Sequence, residues 1–358
     1  MKLIKQRTKS IRDFLKNDEA FIVSYPANRF YLSGMNTSAG TVLLTPKNAY
    51  FLVDFRYFEK AKRVVSSCDV ILSEKLPKQI NEILKTDGVK RVYFENRTIS
   101  LREYSDLKSN LPDFEIVNDS KVEDFLYSMR AVKSQDELKI MEQAQKLTDD
   151  TFDYILNSIR VGKTEKAIAL DMEFYMRRLG SEGVAFDFIV VSGENSSLPH
   201  GTPTDRTIKK GDFITMDFGA VIDGYNADMT RTVAVGNVSE KQQLVYDTVL
   251  KAQLCALESI KAGAVCKDID KIARDVIDNA GFSGCFGHAL GHSVGVEIHE
   301  SPNFSPRDNT VLKSGMVLSV EPGIYLENEF GVRIEDVISV TDSGYYNLTK
   351  SPKELIVL

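Results

Sequence analysis

The stretch His288–Glu300, HALGHSVGVEIHE, constrains this chain more than any other. It holds three of the four histidines, with Gly287 before them and Gly291 and Gly295 between them. Glycine at that density disfavours a helix, so the H-x-x-x-H spacing of His288 and His292 is not the helical zinc-binding pattern. These side chains are instead expected on extended or looped backbone, where glycine allows close approach to a ligand. The fourth histidine, His200, ends SSLPH, so none is left over for core filling or surface duty. Three acidic patterns accompany them: MDFGAVIDGYNADMTRT with Asp217 and Asp228, VEPG with Glu321, and VRIED with Glu335. Histidines and carboxylates gathered in strand contexts are raw material for a carboxylate-rich metal site.

The acidic hairpin gives the first geometric expectation. Asp212–Ile222 alternates like a strand, and Asp223-Gly224 is a strong two-residue turn signal. With those two residues as the loop, Asp217 lies opposite Thr230 and Asp228 is its diagonal neighbour on the same face, ~7–8 Å away at Cα. Two acids converging without a cation would repel and raise a pKa. Glu321 ends a strand-like run, Met316–Val320, and Pro322-Gly323 stops that strand with the carboxylate at its tip. Glu335 lies in Val332–Val340, read as one strand with Arg333, Glu335 and Val337 on one face. An acid among β-branched residues is costly unless paired or metal-bound. The plainer alternative is an Arg333–Glu335 surface pair of small energetic weight. One histidine among four carboxylates favours Mn²⁺, Co²⁺ or Fe²⁺ over a structural zinc.

The rest of the chain sets the frame. Its 358 residues suffice for two ordinary domains. A net charge of −6 argues against a nucleic-acid partner. No apolar run approaches the ~20 residues of a membrane span, and the basic start, MKLIKQRTKSIRDFLKND, lacks a signal-peptide core. It reads as an amphipathic helix with Leu3, Ile4, Ile11, Phe14 and Leu15 inward, and the cytoplasm is the expected location. Cys68, Cys255, Cys266 and Cys285 form no C-x-x-C pair and no disulfide framework.

Residues 1–128 alternate strand-like segments (Ala20–Tyr25, Thr41–Thr45, Ala49–Asp54, Val70–Ser73, Arg91–Glu95, Phe114–Val117) with helix-like ones such as Leu76–Lys85 and Leu101–Ser109, which predicts a small α/β domain. Residues 129–358 predict an α+β domain. Its helices start at Ser134 with Glu137 as capping-box partner, after Thr164, at Ser239 with Gln242, and near Asp268.

As a set, these motifs resemble the pita-bread metallopeptidases, the Xaa-Pro aminopeptidases and Xaa-Pro dipeptidases (prolidases). NRFYLSG and VDFRYFEKA resemble the N-terminal domain of that branch, although Phe55 stands where DGRY is frequent. The resemblance implies an α+β fold in which a C-terminal pita-bread domain is preceded by a smaller α/β domain. It also implies two divalent metal ions, manganese first, with Co²⁺, Zn²⁺ or Fe²⁺ as alternatives. Asp217, Asp228, His292, Glu321 and Glu335 would be the metal ligands, Asp228 and Glu335 bridging both ions, Asp217 completing one site, and His292 with Glu321 the other. His200, His288, His299 and Arg333 would serve the substrate and the catalytic steps. Two departures, Ser293 after the ligand histidine where glycine is frequent, and Asp187-Phe188 where Asp-Pro is frequent, bear on the pocket's shape.

The implied activity is hydrolysis of the Xaa-Pro bond at the N-terminus of proline-containing peptides, with no membrane partner and a homodimeric assembly. A dipeptidase is the alternative; it would hold the substrate's terminal carboxylate, most simply with an arginine. Asn303 stands where such an arginine is expected, although Arg307 follows. A non-catalytic binding module on the same fold is the remote alternative.

Overall fold

The structure, a computed structural model, describes residues 2–358. The chain divides at Arg130/Ala131 into two compact units.

The first unit is a six-stranded mixed sheet with helices between its strands. The strands are β1 (Glu19–Val23), β2 (Thr41–Leu44), β3 (Ala49–Val53), β4 (Asp69–Leu72), β5 (Arg91–Phe94) and β6 (Glu115–Val117), in the order β4-β3-β2-β1-β5-β6. The helices are α1 (Lys2–Phe14), α2 (Pro26–Ser33), α3 (Phe55–Val64), α4 (Leu76–Asp87), α5 (Leu101–Asn110) and α6 (Lys121–Ala131). Each strand expected from sequence is present within one or two residues of its expected ends. Caps set the helix starts: Asp54 accepts from Arg56 N ahead of α3, and Ser100 with Glu103 forms a capping box on α5. Along α1, Ile11 and Leu15 are buried while Leu3, Ile4 and Phe14 are half-buried.

The second unit carries two helix pairs on antiparallel sheets. Helices α7 (Gln135–Leu156) and α8 (Glu165–Arg178) pack Phe152, Ile155, Ile168, Met172 and Met176 against Val190, Ile214, Met216 and Phe218. Those partners lie on β7 (Ile189–Ser192) and β8 (Phe213–Phe218), which join β11 (Met229–Ala234) in the order β11-β8-β7. Between β8 and β11 lie the short β9 (Val221–Ile222) and β10 (Tyr225–Asn226). Helices α9 (Glu240–Ser259) and α10 (Cys266–Ile277) cover a second sheet, packing Val249, Ile269 and Ala273 with Leu290, Leu318, Val320 and Ile338. That sheet runs β13-β12-β14-β17-β18, from β12 (Gly291–Ser293), β13 (Glu300–Phe304), β14 (Val317–Val320), β17 (Asp336–Val340) and β18 (Tyr345–Asn347). β15 (Gly323–Leu326) and β16 (Phe330–Arg333) form a separate ribbon. Ser134, Thr164 and Ser239 cap α7, α8 and α9, the first and last as full capping boxes.

Two expected strands are interrupted. Asp212–Ile222 is not continuous, because at Gly219 the backbone of the facing segment closes in: a Cβ there would stand 1.8 Å from Ala227 O. The hairpin beyond resumes as β9–β10 around Asp223 and Gly224, both at positive φ as a two-residue turn requires. Val332–Val340 also breaks. β16 pairs with β15, β17 pairs with β14, and Ile334-Glu335 lie in the step between them. Arg333 and Glu335 therefore do not share one strand face, and both are buried, which removes the surface-pair alternative.

Candidate active site

The hairpin register places Asp217 opposite Thr230, as the turn position requires. Asp217 is the fifth residue of β8, and Asp228 sits in the gap just before β11. Glu321 follows the last residue of β14, and Glu335 occupies the step between β16 and β17. His292 is the middle residue of β12, and His299 immediately precedes β13. These six, together with His200, His288 and Arg333, all line one cavity of about 560 Å³. Every candidate residue named from sequence thus faces the same space.

The carboxylates are crowded and nearly dry. Asp228 and Glu335 are 4% and 1% exposed. Burial, followed by the charges of Glu335, Asp217 and Glu321, raises the Asp228 carboxyl well above the ordinary range, and burial followed by the charges of Glu321 and Asp217 does the same to Glu335. Burial likewise pushes Glu321 up to about 8. Thr230 Oγ1 donates to Glu335 Oε2 at 2.7 Å, and Ser319 Oγ donates to Glu321 Oε1 at 3.2 Å. Two oxygens, Asp217 Oδ1 and Glu335 Oε1, are buried with no hydrogen-bond partner.

His292 is the matching nitrogen donor. Burial lowers its pKa to about 4, so the ring is neutral near pH 7. Nδ1 faces Ser293 O at 3.2 Å, which assigns the proton there and leaves the Nε2 lone pair free. That lone pair lies 3.6 Å from Asp228 Oδ2 and 3.4 Å from Glu321 Oε1. A lone pair facing a carboxylate is repulsive unless a proton or a metal cation sits between them. Ligand atoms of Asp228, His292 and Glu335 all lie within 4.8 Å of one another. The donor set, mostly carboxylate oxygen with one imidazole, suits a hard or borderline divalent ion. The residues present fit such a group.

Arg333 organises the opposite wall. It is 3% exposed. Its Nη2 donates to Asp217 Oδ2 at 2.7 Å, Nε to Thr230 Oγ1 at 3.0 Å, and Nη1 to Tyr325 OH at 2.8 Å and Pro199 O at 3.1 Å. Tyr325 OH is 2.8 Å from His288 Nε2, and His288 Nδ1 faces Ala289 O at 2.8 Å. The donors therefore run in one direction, from Arg333 to Tyr325 to a neutral His288, whose pKa burial lowers to about 4. Tyr325 is not evident as a site residue from the sequence. A tyrosine in GIYL reads as a core aromatic, and its only signal is its place two residues after Pro322-Gly323.

The remaining histidines face the cavity from loops. The His299 ring meets the His292 ring edge-on, centroids 4.4 Å apart. His200 follows Pro199, whose carbonyl Arg333 holds. Its loop is pinned by the buried Glu165 at the start of α8. Oε1 accepts from Ser192 N at 2.7 Å, and Oε2 accepts from Thr204 N at 3.0 Å and from Thr204 Oγ1 at 2.6 Å. Phe186, Phe188, Ile189 and Ile298 supply the apolar part of the lining.

The chain is similar to known proteins along nearly its whole length. Residues 139–342 match metallopeptidase family M24, and residues 7–132 match the creatinase/prolidase N-terminal domain. The chain is 39% identical over 361 residues to an Xaa-Pro dipeptidase of Pyrococcus horikoshii, covering 99% of this chain and 100% of that one. A solved Xaa-Pro dipeptidase from Bacillus anthracis superposes with a TM-score of 0.93 at 38% identity, covering 99% of each chain. A solved X-Pro aminopeptidase from Thermotoga maritima superposes with a TM-score of 0.92 at 34% identity, again over 99% of each. The fold is a creatinase-type N-terminal domain followed by a pita-bread catalytic domain. The chain belongs to metallopeptidase family M24. It is a peptidase with a candidate metal-binding group at Asp228, His292 and Glu335. Among the described residues no helix is long and apolar enough to cross a membrane.

Proposed function

We propose that this peptidase removes the N-terminal residue from peptides whose second residue is proline. Asp217, Asp228, His292, Glu321 and Glu335 would hold two divalent cations, manganese first, with Asp228 and Glu335 shared between them. The observation that carries the metal assignment is the neutral His292 lone pair aimed at two buried carboxylates, beside two carboxylate oxygens with no partner. When bound, such ions lower the pKa of water and polarise a carbonyl.

The protein's own groups do the rest. Arg333 fixes Asp217 and Thr230, and through Thr230 the orientation of Glu335. His299, at the open side of the cavity, can carry a proton to the leaving nitrogen. His200 can donate to the oxyanion at the scissile carbonyl. Neutral His288, accepting from Tyr325, keeps Nδ1–H on a backbone carbonyl and completes the wall. Bonds to proline lack an amide N–H, and the apolar lining from Phe186, Phe188 and Ile298 suits a pyrrolidine ring.

Chain length is where the two readings part. Arg333 is the sole lysine or arginine in the described cavity lining, and its donors are committed. Asn303 lines the cavity, while Arg307 is exposed and outside the lining. A pocket without a free cation favours the aminopeptidase. The names of the Pyrococcus and Bacillus anthracis relatives favour the dipeptidase. The deciding measurement is kcat/KM for Ala-Pro against Ala-Pro-Ala with added Mn²⁺. The tripeptide is expected to be cleaved at least as well. A tenfold preference for the dipeptide, about 1.4 kcal/mol of transition-state binding, would overturn that, and loss of the preference in Arg307→Ala would assign the clamp.

A further inference from the structure

A buried ion pair lies behind the two neighbouring histidines and outside the cavity. Lys133, just ahead of α7, has its Nζ 3.0 Å from Glu300 Oε2 and 3.3 Å from Ser293 Oγ. The Lys133 and Glu300 side chains are 1% and 3% exposed. Ser293 follows His292 and Glu300 follows His299, so one ammonium ties together both ends of the loop that separates the two rings. Lys133 is itself fixed. Its N–H donates to Gly315 O at 2.8 Å, and the next residue is the N-cap of α7.

The loop is built around this arrangement. Glu300 Oε1 accepts from Glu297 N at 3.2 Å. A Cβ on Gly295 would stand 2.6 Å from both Glu300 carboxylate oxygens, so glycine there leaves the carboxylate its room. Ser293 Oγ also donates to Val317 O at 2.8 Å, tying the clamp to β14. Ser293 is the departure noted in the sequence, and here its hydroxyl is the second anchor. Asn226 holds the middle of the loop through Gly295 O. The register between β12 and β13 shifts at His292/Ser293, so regular strand pairing alone does not set the distance between the rings.

We infer that Lys133 is a positioning residue: by clamping Ser293 and Glu300 it holds His299 in catalytic register with His292. This rests on the proposed role of His299. A buried charge left alone is strongly unfavourable, whereas replacing both partners can be neutral. The variant to measure is therefore Lys133→Met/Glu300→Gln, in which neither charge remains and the Glu297 N–H keeps an acceptor. The expected result is wild-type metal content by elemental analysis, KM for Ala-Pro-Ala within about threefold, and kcat down by tenfold or more. In a His299→Ala background the same pair of changes is expected to cost less than threefold, because the residue they position is gone. Equal losses in both backgrounds, or kcat within threefold of wild type, would overturn the inference. Ser293→Ala, which removes one anchor and leaves the charges paired, is the second arm. It is expected to lower kcat severalfold without changing metal content, and unchanged kcat counts against the clamp. If His299→Ala alone keeps full turnover, the role of His299 fails instead, and the two failures are distinguishable.

Discussion

Glu165 offers a test of how the His200 loop is held. Its carboxylate is fully buried at the first turn of α8, where an acidic side chain also meets the favourable end of the helix dipole. It accepts from the backbone N–H groups of Ser192 and Thr204, from both their hydroxyls, and from Asn195 Nδ2 at 3.2 and 3.3 Å. Glu165→Ala strands the two backbone donors, each costing about 1–3 kcal/mol when buried without a partner. A central value for the pair is about 4 kcal/mol, which corresponds to a midpoint lower by about 8–16 °C at ~2–4 °C per kcal/mol. Glu165→Gln keeps one acceptor oxygen and is expected to lose about half as much by the same reasoning. Both anchors flank His200, so kcat for Ala-Pro-Ala should fall in both variants, while metal content stays at the wild-type level because Glu165 touches none of the five proposed ligands. Thermal melting monitored by fluorescence, elemental analysis and steady-state kinetics read the three quantities. A Glu165→Ala protein that melts within 2 °C of wild type, or that turns over peptide at the wild-type rate, would refute the argument that this carboxylate sets the loop.

Three further outcomes follow from the site. Asp228→Ala or Glu335→Ala removes a carboxylate proposed to be shared by two ions, so bound metal and activity should fall together; wild-type turnover in either variant removes the assignment. His299→Ala should keep its metal and lose ~10²–10⁴ in rate, the range of a lost proton-transfer or oxyanion group, whereas a large loss of metal would make His299 a ligand. Gly291→Ala brings a Cβ to 2.0 Å from Ser319 O, backbone beside His292. The strand has to move, at about 1–3 kcal/mol for overpacking, and an unchanged melting temperature would show that the neighbouring strand yields freely.

Much of this architecture was legible because local signals and tertiary structure agree. The capping boxes at Ser134 and Ser239 fixed two helix starts, and Asp223-Gly224 fixed a hairpin register that put Asp217 across from Thr230. The breaks at Gly219 and at Ile334-Glu335 were not legible. β16 and β17 are buried at every position, Arg333 and Asp336 included, so neither face turns to solvent and no alternation marks where one strand ends and the next begins. Tyr325, Lys133 and Glu165 escaped notice for a related reason. Tyrosine in a strand reads as core, and a lysine or glutamate at a helix start reads as a solvated end. Only the fold shows that Tyr325 joins Arg333 to His288 and that the two charges are buried among groups that carry histidines.

Those breaks are also where the chemistry sits. Asp228 lies before β11, Glu321 after β14, and Glu335 between β16 and β17. Within a regular strand a side chain is committed to one face by the pleat, and moving it means moving its neighbours too. At an interruption one residue can turn alone into the cavity, provided its backbone groups find partners elsewhere. They do: Glu321 N donates to Leu290 O at 2.7 Å, Glu335 N to Thr230 O at 3.1 Å, and Asp228 N to Gln145 Oε1 at 3.4 Å. The sheet gives up ladder pairing at these points, and distant segments supply the missing acceptors. Carboxylates thus converge from three separate strand ends onto one imidazole, with ligand atoms of Asp228 and Glu335 within 4.8 Å of it and Glu321 Oε1 3.4 Å from it.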